Sequence, residues 1–218
     1  FRIDDRAVLP PAPAAEADTV EVLRGPNIRP FPRSKPFADS LAAELVLKVG
    51  DNITTDHIMP AGANLKLRSN IPRYAKVVFD CFNEPGKPTF AERAAALRDA
   101  GKAGFIVAGD SYAQGSSREH AAICPMYLGI KAVLAISIER IHAANLVNFG
   151  ILPLYFQNRQ DYEAIKQGDK ITIAGLRAQL KAGDDVHAFV SGREIVLKCN
   201  LTPADRQVVL KGGLLAGE

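Results

Sequence analysis

The chain has 218 residues, 47% of them hydrophobic, enough for one well-filled core and at most a small appendage. Its 27 Lys and Arg against 24 Asp and Glu leave a net charge of +3. The basic residues are scattered rather than striped, so the balance suits small anionic ligands and does not favour a nucleic-acid partner.

No apolar run approaches the roughly 18 residues of a membrane span, so no membrane partner is expected. No leader segment is evident, and the start at Phe1 rather than Met reads as a piece of a longer polypeptide. Cys81, Cys124 and Cys199 are irregularly spaced, which argues against a disulfide framework and for a reducing compartment. The expected location is cytoplasmic, with the mitochondrial matrix left open.

Residues 1–40 have linker composition, with Pro10-Pro11-Ala12-Pro13 and Pro30-Phe31-Pro32 flanking a short candidate strand at Thr19–Leu23. They read as a lead-in from preceding domains, and residues 41–218 as the domain proper. A strand near Glu44–Val49 feeds the polar loop Gly50-Asp51-Asn52-Ile53-Thr54-Thr55-Asp56-His57-Ile58, followed by Ala61-Gly62, Lys66 and Arg68. Asp56 beside His57 suits proton transfer, and Arg68 can fork onto a carboxylate. An Asx-type turn with a solvated Lys and Arg fits the same residues.

A helix is predicted over Pro72–Phe82, and a second over Phe90–Ala100, capped by Thr89 and stopped by Gly101. The strand Phe105–Ala108 then leads through Gly109-Asp110 to Gly115-Ser116-Ser117-Arg118-Glu119-His120-Ala121, which opens a helix to about Leu128. Strand, Gly-containing turn and helix start together aim backbone N–H groups at one point, an arrangement that binds anions. Ser116-x-x-Glu119 equally fits a capping box. A cap does not require the second hydroxyl, the Arg and the His together.

Further along, a strand is predicted near Ala132–Ile136, a helix over Glu139–Asn148 and a strand at Leu152–Tyr155. The tail reads as strands Lys170–Ala174, Val186–Val190 and Glu194–Lys198, the last two a hairpin, then a helix from Pro203. The pattern is α/β layered. The cysteines include no CxxC or other ligand pair, so no metal is expected on this chain.

Two of these segments together resemble the aconitase family. Thr54-Thr55-Asp56-His57-Ile58 with Ala61-Gly62 and Arg68 looks like the start of its C-terminal swivel domain, and Gly115 to Ala122 like its serine loop. Pro125, Leu128-Gly129, Arg140-Ile141-His142, Asn145-Leu146 and Gly150-Ile151-Leu152-Pro153-Leu154 continue in register. Ala113 stands where many members carry Gly, and Ile136-Ser137-Ile138-Glu139 replaces a more usual Lys-Ser-Phe-Ala.

The resemblance implies a swivelling β/β/α three-layer domain with a mixed sheet. It implies a hydro-lyase of the tricarboxylic acid cycle that interconverts citrate and isocitrate through cis-aconitate, with this chain inactive alone. Ser116 would be the catalytic base and Asp56 would assist the leaving hydroxyl by pairing with a His of the other domains. Arg68, Ser117 and Arg118 would bind substrate carboxylates, and His57, Glu119 and His120 would support them. The helix start behind the serines would stabilise the alkoxide.

A [4Fe-4S] cluster would sit in the other domains, which with the tricarboxylate are the expected partners. His142 is given a supporting part, and His187 has no match. One alternative is the small subunit of an isopropylmalate or homoaconitate dehydratase, which would resemble Asp-Thr-Asp-Gln at residues 54–57. Another is an RNA-binding or regulatory module.

Overall fold

The apolar runs form one sheet in a computed structural model that describes residues 4–216. β1 (Leu41–Lys48), β2 (Ala103–Ala108), β3 (Ile130–Ala135) and β4 (Leu152–Phe156) lie side by side in parallel. Parallel neighbours need long crossovers. The first contains α1 (Thr55–Ile58), α2 (Ile71–Tyr74) and α3 (Phe90–Asp99). The others are built on α4 (His120–Tyr127) and α5 (Arg140–Asn148).

After α6 (Arg159–Ala164) comes an antiparallel set, β5 (Lys170–Ile173), β6 (Asp185–Val190) and β7 (Arg193–Lys198), with α7 (Leu176–Ala182) inserted. α8 (Pro203–Lys211) ends the described elements. β5 pairs with β1 and β7 with β4, so the sheet closes in the order β1-β2-β3-β4-β7-β6-β5.

The α/β class and mixed sheet agree with expectation, and the sheet closes into a seven-stranded barrel, a feature the expectation did not state. The antiparallel strands occupy both free edges of the parallel half, leaving no open edge. Side chains of β2 alternate between two cores, with Phe105 and Val107 in one and Ile106 and Ala108 in the other. That double burial explains why the strand is an unbroken apolar run rather than an alternating one.

Side-chain caps start four of the eight α-helices among the described residues. Thr89 and Glu92 form a reciprocal capping box at α3, and Thr202 accepts from the Asp205 amide at α8. The predicted helix at Pro72–Phe82 is broken instead. α2 runs into a 3-10 turn at Ala75–Val77, Val78 is extended, and Phe79 takes a left-handed φ of +53°. Thr19–Leu23 is no strand, since Ala17–Thr19 is a 3-10 turn and Val20, Val22 and Leu23 are exposed with nothing to pair. The lead-in has no buried residue among those described before Phe37, whose amide donates to the Leu210 carbonyl at 2.9 Å.

No helix among the described residues is long and apolar enough to cross a membrane.

Candidate active site

Three loops leave the carboxyl ends of β1, β2 and β3, the edge of an α/β sheet where ligands usually bind. Isolated parallel bridges, Thr54 with Gln114 and Tyr112 with Ile138, carry the sheet's pairing beyond the strands and hold these loops in register. The Ile53 carbonyl accepts from Ala113 N at 2.6 Å and Gln114 N at 3.0 Å, and Gln114 O accepts from Thr55 N at 2.8 Å.

Those bonds impose an unusual backbone. Ser111, Ala113 and Gly115 have φ of +56°, +71° and +100°. A left-handed residue with a Cβ costs about 1–2 kcal/mol, so the flanking bonds hold strain at Ala113 that a glycine would not carry.

Ser116 is not a helix cap. α4 begins at His120 with Glu119 as its N-cap residue, and no side chain caps it. The serines therefore lie in the loop before the helix, not at its positive end. The exposed Ser116 hydroxyl has one hydrogen-bond partner among the described residues, Thr55 Oγ1 at 3.4 Å. Ser116, Ser117 and Arg118 line a cavity of about 240 Å³ whose other wall is Glu139 to His142 with Asn145.

Arg118 is largely buried and fixed on one side. Its Nη1 donates to Asp56 Oδ1 at 2.7 Å and to the Met59 carbonyl at 2.8 Å. Nε and Nη2 have no partner among the described residues, which leaves one edge of the fork for an anion. The Arg118 guanidinium in turn holds the Asp56 carboxyl below the usual carboxylate range.

Asp56 and His57 do not bond each other. His57 instead closes a capping box with Thr54, its Nδ1 accepting from Thr54 N and its own amide donating to Thr54 Oγ1, each at 3.1 Å. Its part is to shape the α1 turn that presents Asp56.

Arg68 and Arg118 do not share the serine cavity. Arg68 lines a neighbouring cavity of about 440 Å³ with Arg29, Glu119 and His120. His120 links the two, because its Nε2 lies 3.0 Å from the Arg68 carbonyl and its ring packs on Tyr74. Glu119 sits 3.6 Å from His120 Nδ1.

The residues that sequence reading left out of the site are Glu139, Arg140 and Asn145, with His142 given only a supporting part. The signal was present: Ala132–Ile136 followed by Glu139-Arg140 repeats the strand–turn–helix order of the serine loop at the same sheet edge. His142 is 3% exposed, and both its ring nitrogens lack a hydrogen-bond partner among the described residues. Burial pulls its pKa down to about 3, so the imidazole is neutral.

The cysteines do not fit an iron–sulfur cluster. Cys124 and Cys199 lie in different cores and Cys81 is exposed. No group of three potential metal ligands occurs among the described residues.

A family model described as the aconitase C-terminal domain matches residues 52–159, which contain all three site loops. The mitochondrial aconitate hydratase of Candida albicans is 33% identical over 84% of this chain and 26% of its own length. Aconitate hydratase A of Pseudomonas aeruginosa is 34% identical over 76% of this chain and 23% of its own. The chain thus spans about a quarter of these curated relatives. The crystal structure of 3-isopropylmalate dehydratase from Methanocaldococcus jannaschii superposes with a TM-score of 0.58 at 28% identity, covering 82% of this chain and 91% of that one. In sequence and in fold, the chain belongs to the aconitase family, as its C-terminal domain.

Proposed function

We propose that this chain is the C-terminal part of a larger aconitase-type hydro-lyase, with residues 1–40 as lead-in and 41–218 as the swivel domain. On this reading it brings a proton-abstracting serine and carboxylate-binding arginines to the interconversion of citrate and isocitrate through cis-aconitate. The observation that carries the reading is an uncapped Ser116 sharing a cavity with Ser117 and the half-free fork of Arg118.

Removing a proton beside a carboxylate builds negative charge on that carboxylate, so the reaction needs a base and preorganised donors. Ser116 as alkoxide takes the proton, and the Thr55 hydroxyl at 3.4 Å can donate to that alkoxide. Ser117 and the free edge of Arg118 receive the carboxylate on which charge develops. Asp56 holds the other edge of Arg118 and so orients the fork. Arg68 takes a further carboxylate from the adjoining cavity, its loop tied to the serine loop by His120. The other domains, or a large subunit, complete the pocket and hold the family's [4Fe-4S] cluster.

A second reading is the small subunit of an isopropylmalate or homoaconitate dehydratase, favoured by the structural likeness to 3-isopropylmalate dehydratase. Assaying the full-length protein and the 218-residue chain with citrate, isocitrate, 3-isopropylmalate and homocitrate tests both. Turnover of citrate by the full-length protein alone is expected. Turnover by the isolated chain, or of 3-isopropylmalate only, would overturn the first reading.

A further inference from the structure

Three of the five non-glycine residues with left-handed φ among those described stand beside the serine loop. They are Asn52 at +58°, Ser111 at +56° and Ala113 at +71°. Strain of this kind persists only where the surroundings over-determine the backbone, and it gathers at functional sites. The bonds to the Ile53 carbonyl hold Ala113 and Gln114 by their main chain. Asn52 and Ser111 are held by a second set of bonds, made by side chains.

Gln114, two residues before Ser116, is the centre of that second set. Its Nε2 donates to Asn52 Oδ1 at 3.1 Å and to Ser111 Oγ at 2.7 Å. The Ser111 hydroxyl donates in turn to Glu139 Oε1. A carboxylate only accepts, so the direction is fixed: amide to hydroxyl to carboxylate. Ser111 N also donates to Ser137 Oγ at 2.7 Å. One side chain thus ties together the loops that follow β1, β2 and β3, and bonds in such a chain strengthen one another. Arg118 is anchored elsewhere, on Asp56 and the Met59 carbonyl.

We infer that Gln114 is a positioning residue for Ser116, acting through Asn52, Ser111 and Glu139. It sets the path of the chain into Gly115, and so where the Ser116 hydroxyl stands in its cavity. This rests on the reading of Ser116 as the base. Because Arg118 has its own anchor, cutting the tie should slow proton abstraction and leave carboxylate binding in place.

The test uses the full-length enzyme carrying Gln114→Ala, Gln114→Glu, Gln114→Glu with Glu139→Gln, Ser116→Ala, or Gln114→Ala with Ser116→Ala. Turnover is measured on citrate, and binding by calorimetry with tricarballylate, a tricarboxylate that cannot be dehydrated. Melting temperatures control for folding. A misplaced reacting group can cost about 10²-fold, so Gln114→Ala should lower kcat roughly 10- to 100-fold. Its tricarballylate Kd should stay within about twofold of wild type. Gln114→Glu sets two carboxylates on one hydroxyl proton and should also lose kcat. Adding Glu139→Gln restores the chain with its direction reversed, Asn52 turning its amide to donate, and should recover most of kcat. In the Ser116→Ala background, Gln114→Ala should cost little more, because the two act as a unit.

Gln114→Ala with kcat within about twofold of wild type overturns the positioning role, provided Ser116→Ala has lost turnover. An equal loss from Gln114→Ala with and without the Ser116 hydroxyl overturns it as well. If Gln114→Ala does not fold, the exchanged pair decides, and no recovery over Gln114→Glu alone counts against the role. Near-normal kcat in Ser116→Ala instead marks failure of the serine reading, and the positioning role falls with it.

Discussion

Ser116→Ala and Thr89→Ala form a matched pair, because the structure assigns the cap to one and withholds it from the other. Thr89 accepts from Glu92 N at 3.2 Å and the Glu92 carboxylate reaches back to Thr89 N at 2.8 Å. Ser116 is exposed, with one hydrogen-bond partner among the described residues at 3.4 Å. Removing the Thr89 hydroxyl should cost about 0.5–2 kcal/mol. Each kcal/mol lowers Tm by roughly 2–4 °C for a unit of this size, and by less where the whole enzyme unfolds together.

Removing the Ser116 hydroxyl should cost under about 0.5 kcal/mol, as for a surface change away from any special feature. Turnover should show the opposite order. Ser116→Ala is expected to lose about 10²–10⁴-fold in kcat, while Thr89→Ala stays near wild type. Calorimetric Tm and saturating kcat on citrate, measured side by side in the full-length enzyme, give both answers. A Ser116→Ala enzyme with the Tm loss of a cap and near-normal kcat would refute the assignment of Ser116 as base.

Other outcomes follow from individual contacts. Asp56 has a folded pKa below its ordinary 3.8, so the stability it contributes is complete above that pH and lost as pH falls through the lowered value. Asp56→Asn should flatten the acid limb of a Tm–pH curve and raise KM for citrate, because Arg118 loses its anchor. His142 titrates near 3 when folded against an ordinary 6.5, so between those values the unfolded chain binds the extra proton and stability rises with pH. His142→Leu should remove that slope and raise Tm by the equivalent of about 1 kcal/mol as two unpaired nitrogens disappear. Gly109→Ala would set a Cβ 1.9 Å from Asp51 Oδ1 and 3.0 Å from Asp51 N. Asp51 is pinned by the Asp110 amide and Arg159, so denaturant unfolding should report a loss of about 1–3 kcal/mol.

The parallel half of the fold was legible because doubly buried strands such as Phe105–Ala108 write themselves as continuous apolar runs. Closure of the barrel was not, since it depends on β5 meeting β1 and β7 meeting β4, pairings between distant segments that leave no local mark. α6 and α7 escaped because neither has a side-chain cap, and α7 starts after a left-handed Gly175. Ser116-x-x-Glu119 carried the letters of a capping box, while the bonds from Ile53 and Thr55 to residues 113 and 114 shape the loop that precedes α4. The second wall of the cavity was missed for a different reason. Arg140 and His142 were read as members of a motif, and only the sheet's register turns their helix start toward the serines.

Exchange of the carbon-bound hydrogen of the substrate with solvent deuterium, followed by NMR in the full-length enzyme, reads proton abstraction itself. Wild type should exchange at a rate comparable to turnover. Ser116→Ala should lose exchange by at least about 10²-fold while binding tricarballylate with unchanged affinity. Exchange at the wild-type rate in Ser116→Ala would contradict the account, because some other group would then be removing the proton.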